Sequence, residues 1–235
     1  MPFLIFCLGA EAGLPEALVE YGRGNYKAAL GELTTLANKG DATAQYTLGV
    51  MNENGQGLQK NINNAATWYL LAADQGLADA QLKVGLMHEA GSGLPKNDNK
   101  AFLSYRWAAS QGNAAAQNNL AMMYLNGKGT RQDSLMAMKW FERAAKMGDT
   151  NAQLSLGSMY ATGHGIAEDL VQADRWFISA ALKGNDRGKQ NQQLAEGMMS
   201  PEQISEAEAQ AMEWFLGHKV LRSPPPHNAP INAGN

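Results

Sequence analysis

The sequence predicts an all-α solenoid, a stack of helix-turn-helix repeats of 36 residues, from two observations. First, similar stretches begin at glycines that recur at a constant step of 36 residues: Gly40, Gly76, Gly112, Gly148 and Gly184. Second, each stretch divides into two segments with helical spacing of apolar residues. We therefore expect four full repeats over residues 40–183, and we number positions from the opening glycine of each.

The first helix of each repeat is marked by its start and by its apolar spacing. Asp41, Asn113 and Asp149 follow the opening glycines and are residue types that cap helix N-termini. An Ala-Gln pair comes next, and aliphatic and methionine residues at i+4 and i+7 from the alanine form a core face. Position ten is Gly49, Gly85, Ala121 or Gly157. Because glycine inside a helix costs about 1 kcal/mol, we expect a neighbouring helix to approach closely there.

A Gly-x-Gly sequence ends each first helix. We interpret it as a left-handed helix stop followed by a chain reversal. A phosphate-binding loop would instead place its glycines between a strand and a helix N-terminus. The pairs are Gly55 and Gly57, Gly91 and Gly93, Gly127 and Gly129, and Gly163 and Gly165.

The second helix begins at a capping residue and carries an aromatic pair. The predicted caps are Asn61, Asn97, Asp133 and Asp169. The aromatic pairs are Trp68-Tyr69, Trp140-Phe141 and Trp176-Phe177, with Ser104-Tyr105 in the second repeat. We expect the tryptophans to be buried and Trp107 to compensate for Ser104. A stacking platform for sugars or bases is the alternative for such rings.

The ends of the chain differ from the array. Residues 1–12 contain an apolar segment and are either a signal-peptide remnant or an apolar cap, and the first reading favours the periplasm or secretion over the cytoplasm. Residues 13–39 predict an entry hairpin. Residues 184–222 lack Gly-x-Gly and predict a C-terminal capping repeat with a helix ending near Trp214. Residues 223–235 are proline-rich and predict a disordered tail.

Composition argues against several classes of function. The net charge of −3 disfavours nucleic-acid binding, and Cys7 is the only cysteine, so no disulfide framework or cysteine-based zinc site is predicted. No apolar run is long enough for a transmembrane helix. No metal-ligand cluster, cofactor motif or catalytic constellation is present, and His88 is expected to fill a packing slot. We therefore expect no enzyme activity, no metal and no cofactor.

The combination of Ala-Gln, aliphatic-Gly, Gly-x-Gly, Ala, Trp-aromatic and Ala-Ala at 36-residue spacing resembles the Sel-one-like repeat family, from about Tyr26 to Trp214. That family is related to tetratricopeptide repeats and implies a right-handed α/α superhelix. It also implies an adaptor or scaffold, and bacterial members are often exported and act in signalling, envelope or host-interaction complexes. Cysteine-rich relatives bind β-lactams, so an envelope small-ligand or cell-wall-fragment binder or hydrolase is the alternative. A self-assembling structural element is a third hypothesis, although a monomer is expected.

The resemblance also implies that the first helices line a concave face. Positions four, eight and eleven lie opposite the core positions at i, i+4 and i+7, and we predict that they bind a protein or peptide. The alternative is that they merely fill helix–helix contacts. The residues are Thr43, Thr47, Val50, Asp79, Lys83, Leu86, Ala115, Asn119, Met122, Asn151, Ser155 and Ser158.

Overall fold

A computed structural model describes residues 13–222, which form twelve α-helices and contain no strand. The chain forms two compact units, unit 1 up to Trp140 and unit 2 from Phe141 onward. The predictions for residues 1–12 and 223–235 lie outside the described residues. The helices are α1 Leu14–Gly22, α2 Tyr26–Asn38, α3 Ala42–Asn54, α4 Ile62–Asp74, α5 Ala78–Ala90, α6 Asp98–Ser110, α7 Ala114–Asn126, α8 Ser134–Lys146, α9 Thr150–Thr162, α10 Leu170–Ala181, α11 Asp186–Glu196 and α12 Pro201–Arg222.

The helices begin where the polar capping residues predict. The carboxylate of Asp41 accepts the backbone N–H of Ala44 at 2.8 Å, and Asn113 and Asp149 make the same bond in their repeats. The second helices start in the same way, with the side chains of the predicted caps accepting an N–H of the first turn: Asn61, Asn97, Asp133 and Asp169. These caps satisfy amide groups that a helix leaves without an internal partner.

The Gly-x-Gly loops contain two left-handed glycines with different roles. Gly91 ends α5 with φ +70° and donates its N–H to the carbonyl of Met87 at 2.9 Å. Gly93 also has a positive φ of +75°, and a Cβ added there would lie 2.8 Å from the carbonyl oxygen of Ile62 at the start of α4. The first glycine therefore stops the helix, and the second permits close contact with the preceding repeat.

The glycine at position ten accommodates an aromatic ring, as its recurrence predicts. A Cβ on Gly49 or Gly85 would lie 2.5 Å from the ring of Tyr69 or Tyr105, and one on Gly157 would lie 2.6 Å from Phe177. The second member of each aromatic pair is therefore the buried ring that packs against position ten of the first helix. The tryptophans were predicted to be buried. Trp176 is buried as predicted, whereas Trp68 and Trp140 are only partly buried.

The prediction that Trp107 compensates for Ser104 is wrong. The side chain of Trp107 is 52% exposed, while Ser104 is buried at the tryptophan position. Three residues separate these positions, so Trp107 is rotated by about 60° around α6 from Ser104. Tyr105, which is fully buried, supplies the ring of the second repeat instead.

The glutamine of the Ala-Gln pair connects one helical hairpin to the next. The Nε2 group of Gln45 donates to the carbonyl of Ala37 at 3.1 Å, at the end of α2. Gln81, Gln117 and Gln153 make the same bond to Ala73, Ala109 and Ala145. Each of these carbonyls also accepts the N–H of the glycine three residues later, so the buried glutamine amide supplies its second hydrogen bond and ties the two hairpins together.

The C-terminal helix is longer than predicted, and two reciprocal hydrogen bonds cap its N-terminus. It extends past Trp214 to Arg222, the last residue that the structure describes. At its start, Gln203 Oε1 accepts the N–H of Ser200 at 2.9 Å, and Ser200 Oγ accepts the N–H of Gln203 at 3.3 Å. This is a complete capping box.

Candidate functional site

The predicted apolar residues of unit 1 lie at equivalent places on successive first helices. Leu86 on α5 is 40% exposed and Met122 on α7 is 38% exposed, whereas Val50 on α3 is partly buried against the core around Tyr69. Leu71 and Trp107 on the second helices are exposed at one repeat position as well, so the residues beside Leu86 and Met122 must distinguish a binding surface.

The predicted polar residues of unit 1 differ in how much surface they present. Thr47 is 5% exposed, and its hydroxyl donates to the carbonyl of Thr43 at 2.8 Å, so its side chain offers almost nothing to a partner. Lys83 and Asn119, at the same position of the next repeats, are partly exposed. At position four the exposed residues are Thr43, Asp79 and Ala115.

Lys83 is part of an ordered group formed by α3, α4 and α5. Its Nζ lies 2.7 Å from Glu53 Oε2, and the hydroxyl of Tyr69 donates to the same oxygen at 2.6 Å. The Nζ also lies 5.7 Å from the centre of the Tyr69 ring. Burial alone would raise the pKa of Glu53, but the hydrogen bonds from Lys83 and Tyr69, together with the charges of Lys83 and Lys60, hold it below its usual value.

A similar group recurs one repeat later, with a different third member. The hydroxyl of Tyr105 donates to Glu89 Oε2 at 2.7 Å. Burial, followed by the neighbouring Glu89 carboxylate, raises the pKa of Tyr105 above its usual value, and a hydrogen bond from Asn119 partly opposes this. Asn119 therefore lies where Lys83 lies in the previous group, but it carries no charge.

The predicted residues of unit 2 are all small and polar. Asn151 and Ser158 on α9 are exposed, and Ser155 is partly buried. Ser158 borders an apolar hollow of about 240 Å³ between α9 and α11, where Leu194 and Met198 are largely exposed. The first-helix surface of unit 2 therefore differs from that of unit 1, since it lacks the exposed apolar side chains of position eleven.

Unit 2 also contains a buried carboxylate that the sequence analysis missed. Asp174 on α10 is fully buried, and neither of its carboxylate oxygens has a hydrogen-bond partner among the described residues. Burial, reinforced by the charges of Glu196 and Glu208, raises its pKa to about 7. A perturbed carboxylate of this kind can be catalytic, but Asp174 is shielded from solvent.

The described residues were compared with what a metal site and a membrane-spanning helix require. Within residues 13–222 there is no group of three or more histidine, cysteine, aspartate or glutamate residues that could hold a metal ion. His88 is buried, and its Nδ1 lies 2.9 Å from the carbonyl of Pro95. Among the described helices, none has the length and apolar character needed to cross a membrane.

Comparison with family models identifies the repeats. The model described as "Sel1 repeat" matches four consecutive segments that together cover more than half of the chain: residues 42–77, 78–113, 114–149 and 150–185. The chain belongs to the Sel1 repeat family. The predicted all-α solenoid of helix-turn-helix repeats is thereby confirmed, and Sel1 repeat proteins are generally protein-interaction scaffolds.

Solved structures give the same assignment. A Sel1 repeat protein from Oxalobacter formigenes is 29% identical, with a TM-score of 0.74 over 87% of this chain and 84% of that one. The protein c5321, a protective antigen of uropathogenic Escherichia coli with an SLR fold, is 26% identical over 89% of this chain, with a TM-score of 0.56. The match spans 54% of c5321's own length. No significantly similar curated protein was found.

A third solved structure shows the fold alone. The pilF protein of Pseudomonas aeruginosa has a TM-score of 0.56 to this Sel1 repeat protein, with coverage of 88% of each chain, but only 17% identity.

Sequence analysis found Lys83 and Asn119 but missed the glutamates beside them. Position fourteen is Glu53 in the first repeat and Glu89 in the second, each followed sixteen residues later by a tyrosine. That recurring Glu–Tyr spacing was the available signal. A glutamate near the end of a surface helix ordinarily faces solvent, so this spacing does not by itself indicate an ordered carboxylate.

Proposed function

We propose that this Sel1 repeat protein is a non-catalytic scaffold that holds a peptide or a partner's helix on the exposed side of its first helices. The proposal places the binding surface in unit 1, on α5 and α7. This is the side that the family resemblance predicts to be concave.

The observation that carries the proposal is the exposure of Leu86 and Met122 at one repeat position beside the ordered polar groups of α3 to α7. Lys83, Glu89 and Asn119 surround them with polar groups held in defined geometry. An apolar strip with a polar border is the surface that an extended peptide or an amphipathic helix needs. In unit 2, Asn151, Ser155 and Ser158 on α9 are proposed separately, as polar contacts only.

The test is a double substitution, Leu86→Asp with Met122→Asp. Peptides are first selected on the full-length protein from a random display library, and their affinity is then measured by fluorescence anisotropy. We expect at least about a tenfold loss of affinity, because two apolar anchors are replaced by charges. Circular dichroism should show unchanged helical content, since both side chains are exposed.

The matched control is Leu71→Asp with Trp107→Asp. These residues are also exposed and apolar, are also one repeat apart in unit 1, and lie on the second helices. Binding should be unaffected in this variant. An equal loss in both double variants would indicate nonspecific hydrophobic adsorption. Loss of helical content in the first variant would indicate that Leu86 and Met122 are core residues and not binding residues.

A further inference from the structure

The contact between Glu53 and Lys83 shows how this protein seats a cation. The carboxylate is held by the hydroxyl of the buried Tyr69, and the ammonium group arrives from the next repeat at 2.7 Å from Glu53 Oε2. The same ammonium faces the Tyr69 ring. A fixed carboxylate beside an aromatic ring offers both charge-assisted hydrogen bonding and cation–π attraction. The side chains of Glu53 and Lys83 are each 29% exposed, so this site is open to the protein surface. We call the glutamate and its tyrosine partner, which together bind a cationic side chain, a seat.

The second seat is built in the same way but holds no internal cation. Glu89 and Tyr105 lie 36 residues after Glu53 and Tyr69, and their oxygens are 2.7 Å apart. Asn119, which is shorter than lysine and uncharged, stands at the repeat position of Lys83. Within residues 13–217, no lysine, arginine or histidine forms an ion pair with Glu89. Its carboxylate is thus oriented and partly exposed, and its charge is not compensated locally.

The surroundings of Glu89 indicate what type of segment would bind. Leu86 precedes Glu89 by three residues on α5, and Met122 follows Asn119 by three residues on α7. Residues at this spacing are neighbours on a helix surface, so each exposed apolar side chain flanks the empty seat. Asp79, a second exposed carboxylate that is hydrogen-bonded to Asn113 at 2.8 Å, lies at the other end of α5, about 15 Å along the helix axis from Glu89. The uncompensated charge beside Leu86 is that of Glu89, and it favours a basic segment.

We propose that Glu89 receives a lysine or arginine side chain of a basic, partly apolar peptide segment, whose adjacent apolar residue contacts Leu86 and Met122. The incoming cation takes the position at this repeat boundary that Lys83 takes at the previous one. This inference rests on the proposed function, and it adds the chemistry of the partner. A single charge-assisted contact that is partly exposed should change affinity by roughly tenfold.

The experiment uses the full chain and a random peptide display library. Peptides selected on the wild-type protein should be enriched in lysine and arginine, and replacing the critical basic residue of a selected peptide with norleucine should weaken binding by roughly tenfold. Glu89→Gln should abolish the difference between the two peptides. Asn119→Lys should abolish it as well, because the new side chain would occupy the seat from within. Glu168→Gln, which removes an exposed carboxylate in unit 2, is the charge-matched control and should leave the difference intact.

The converse variant is Lys83→Asn, which should open the first seat and raise the number of basic residues among selected peptides. Selected peptides without basic enrichment, or a basic preference that survives both Glu89→Gln and Asn119→Lys, would overturn this inference and leave the proposed function standing. If no peptide is selected, or if the Leu86 and Met122 double variant binds as well as wild type, the proposed function fails and this inference fails with it.

Discussion

Asp174 makes the stability of unit 2 depend on pH, and Asp174→Asn tests how strongly. The carboxyl group is fully buried on α10, its oxygens have no hydrogen-bond partner among the described residues, and Glu196 on α11 and Glu208 on α12 repel its charged form. Its pKa is therefore raised from an ordinary 3.8 to about 7. A buried acid of this kind is tolerated when protonated and opposes folding when ionised.

The direction and size of this pH dependence of the free energy of unfolding follow from proton linkage. As pH rises above about 3.8, Asp174 ionises in the unfolded chain but stays protonated in the folded one until about pH 7. The unfolded state then binds fewer protons, so the free energy of unfolding falls with rising pH across this window and levels off above it. A difference of about three pKa units, at about 1.4 kcal/mol each, gives roughly 4 kcal/mol.

The asparagine variant cannot ionise, so this pH dependence should disappear. Its stability relative to wild type should rise by roughly 4 kcal/mol between about pH 4 and about pH 8. Burial of an unpaired amide, at about 1–3 kcal/mol, lowers its stability equally across the range and leaves this change intact. Hydrogen exchange of the α10 and α12 amides measures it, because comparing both proteins at each pH cancels the pH dependence of chemical exchange.

Asp186→Asn is the matched control, because the Asp186 side chain is 88% exposed. It should change stability by less than about 0.5 kcal/mol at every pH. A stability difference between wild type and Asp174→Asn that is the same at both ends of the range would refute the reasoning, because the titrating group would then be another residue.

Two further predictions concern helix packing and capping. Gly85→Ala should destabilise by about 1–3 kcal/mol, because the added Cβ would overlap the Tyr105 ring, whereas Gly31→Ala should stabilise by up to about 1 kcal/mol, because that exposed helical site is open. Thermal unfolding should give midpoint shifts of opposite sign, and two shifts of the same sign would contradict the packing argument. Ser200→Ala should cost about 1 kcal/mol by breaking the capping box with Gln203, seen as faster hydrogen exchange in the first turn of α12; unchanged exchange there would show that the cap does not hold the turn.

Local features of the sequence predicted local structure well. A cap such as Asp41 acts on an N–H three residues away, and Gly91 terminates α5 through its own backbone conformation. Such effects depend on near neighbours along the chain, so a single repeat contains the information needed. The period then extends the assignment to every repeat, which is why the fold class could be stated from the sequence.

Burial and side-chain partners could not be predicted in this way. Thr47 and Leu86 belong to the same predicted face, yet Thr47 is 5% exposed and Leu86 is 40% exposed. Periodicity assigns a residue to a face, whereas the neighbouring hairpin decides how far that face is covered. The pair of Glu53 and Lys83 spans 30 residues of sequence, and sequence analysis placed Lys83 on the binding face without its acceptor.

The glutamate and the aromatic residue sixteen positions later vary together along the array, and burial of the phenol explains why. Tyr69 and Tyr105 are fully buried, and their hydroxyls donate hydrogen bonds to Glu53 and Glu89. A buried hydroxyl without an acceptor costs about 1–3 kcal/mol, so a tyrosine here requires a glutamate, and a phenylalanine does not. The third and fourth repeats carry Leu125 with Phe141 and Ala161 with Phe177. The residue that fills the aromatic position thus determines where a fixed carboxylate reaches the surface, and we expect the proposed recognition of a basic segment only in the first two repeats.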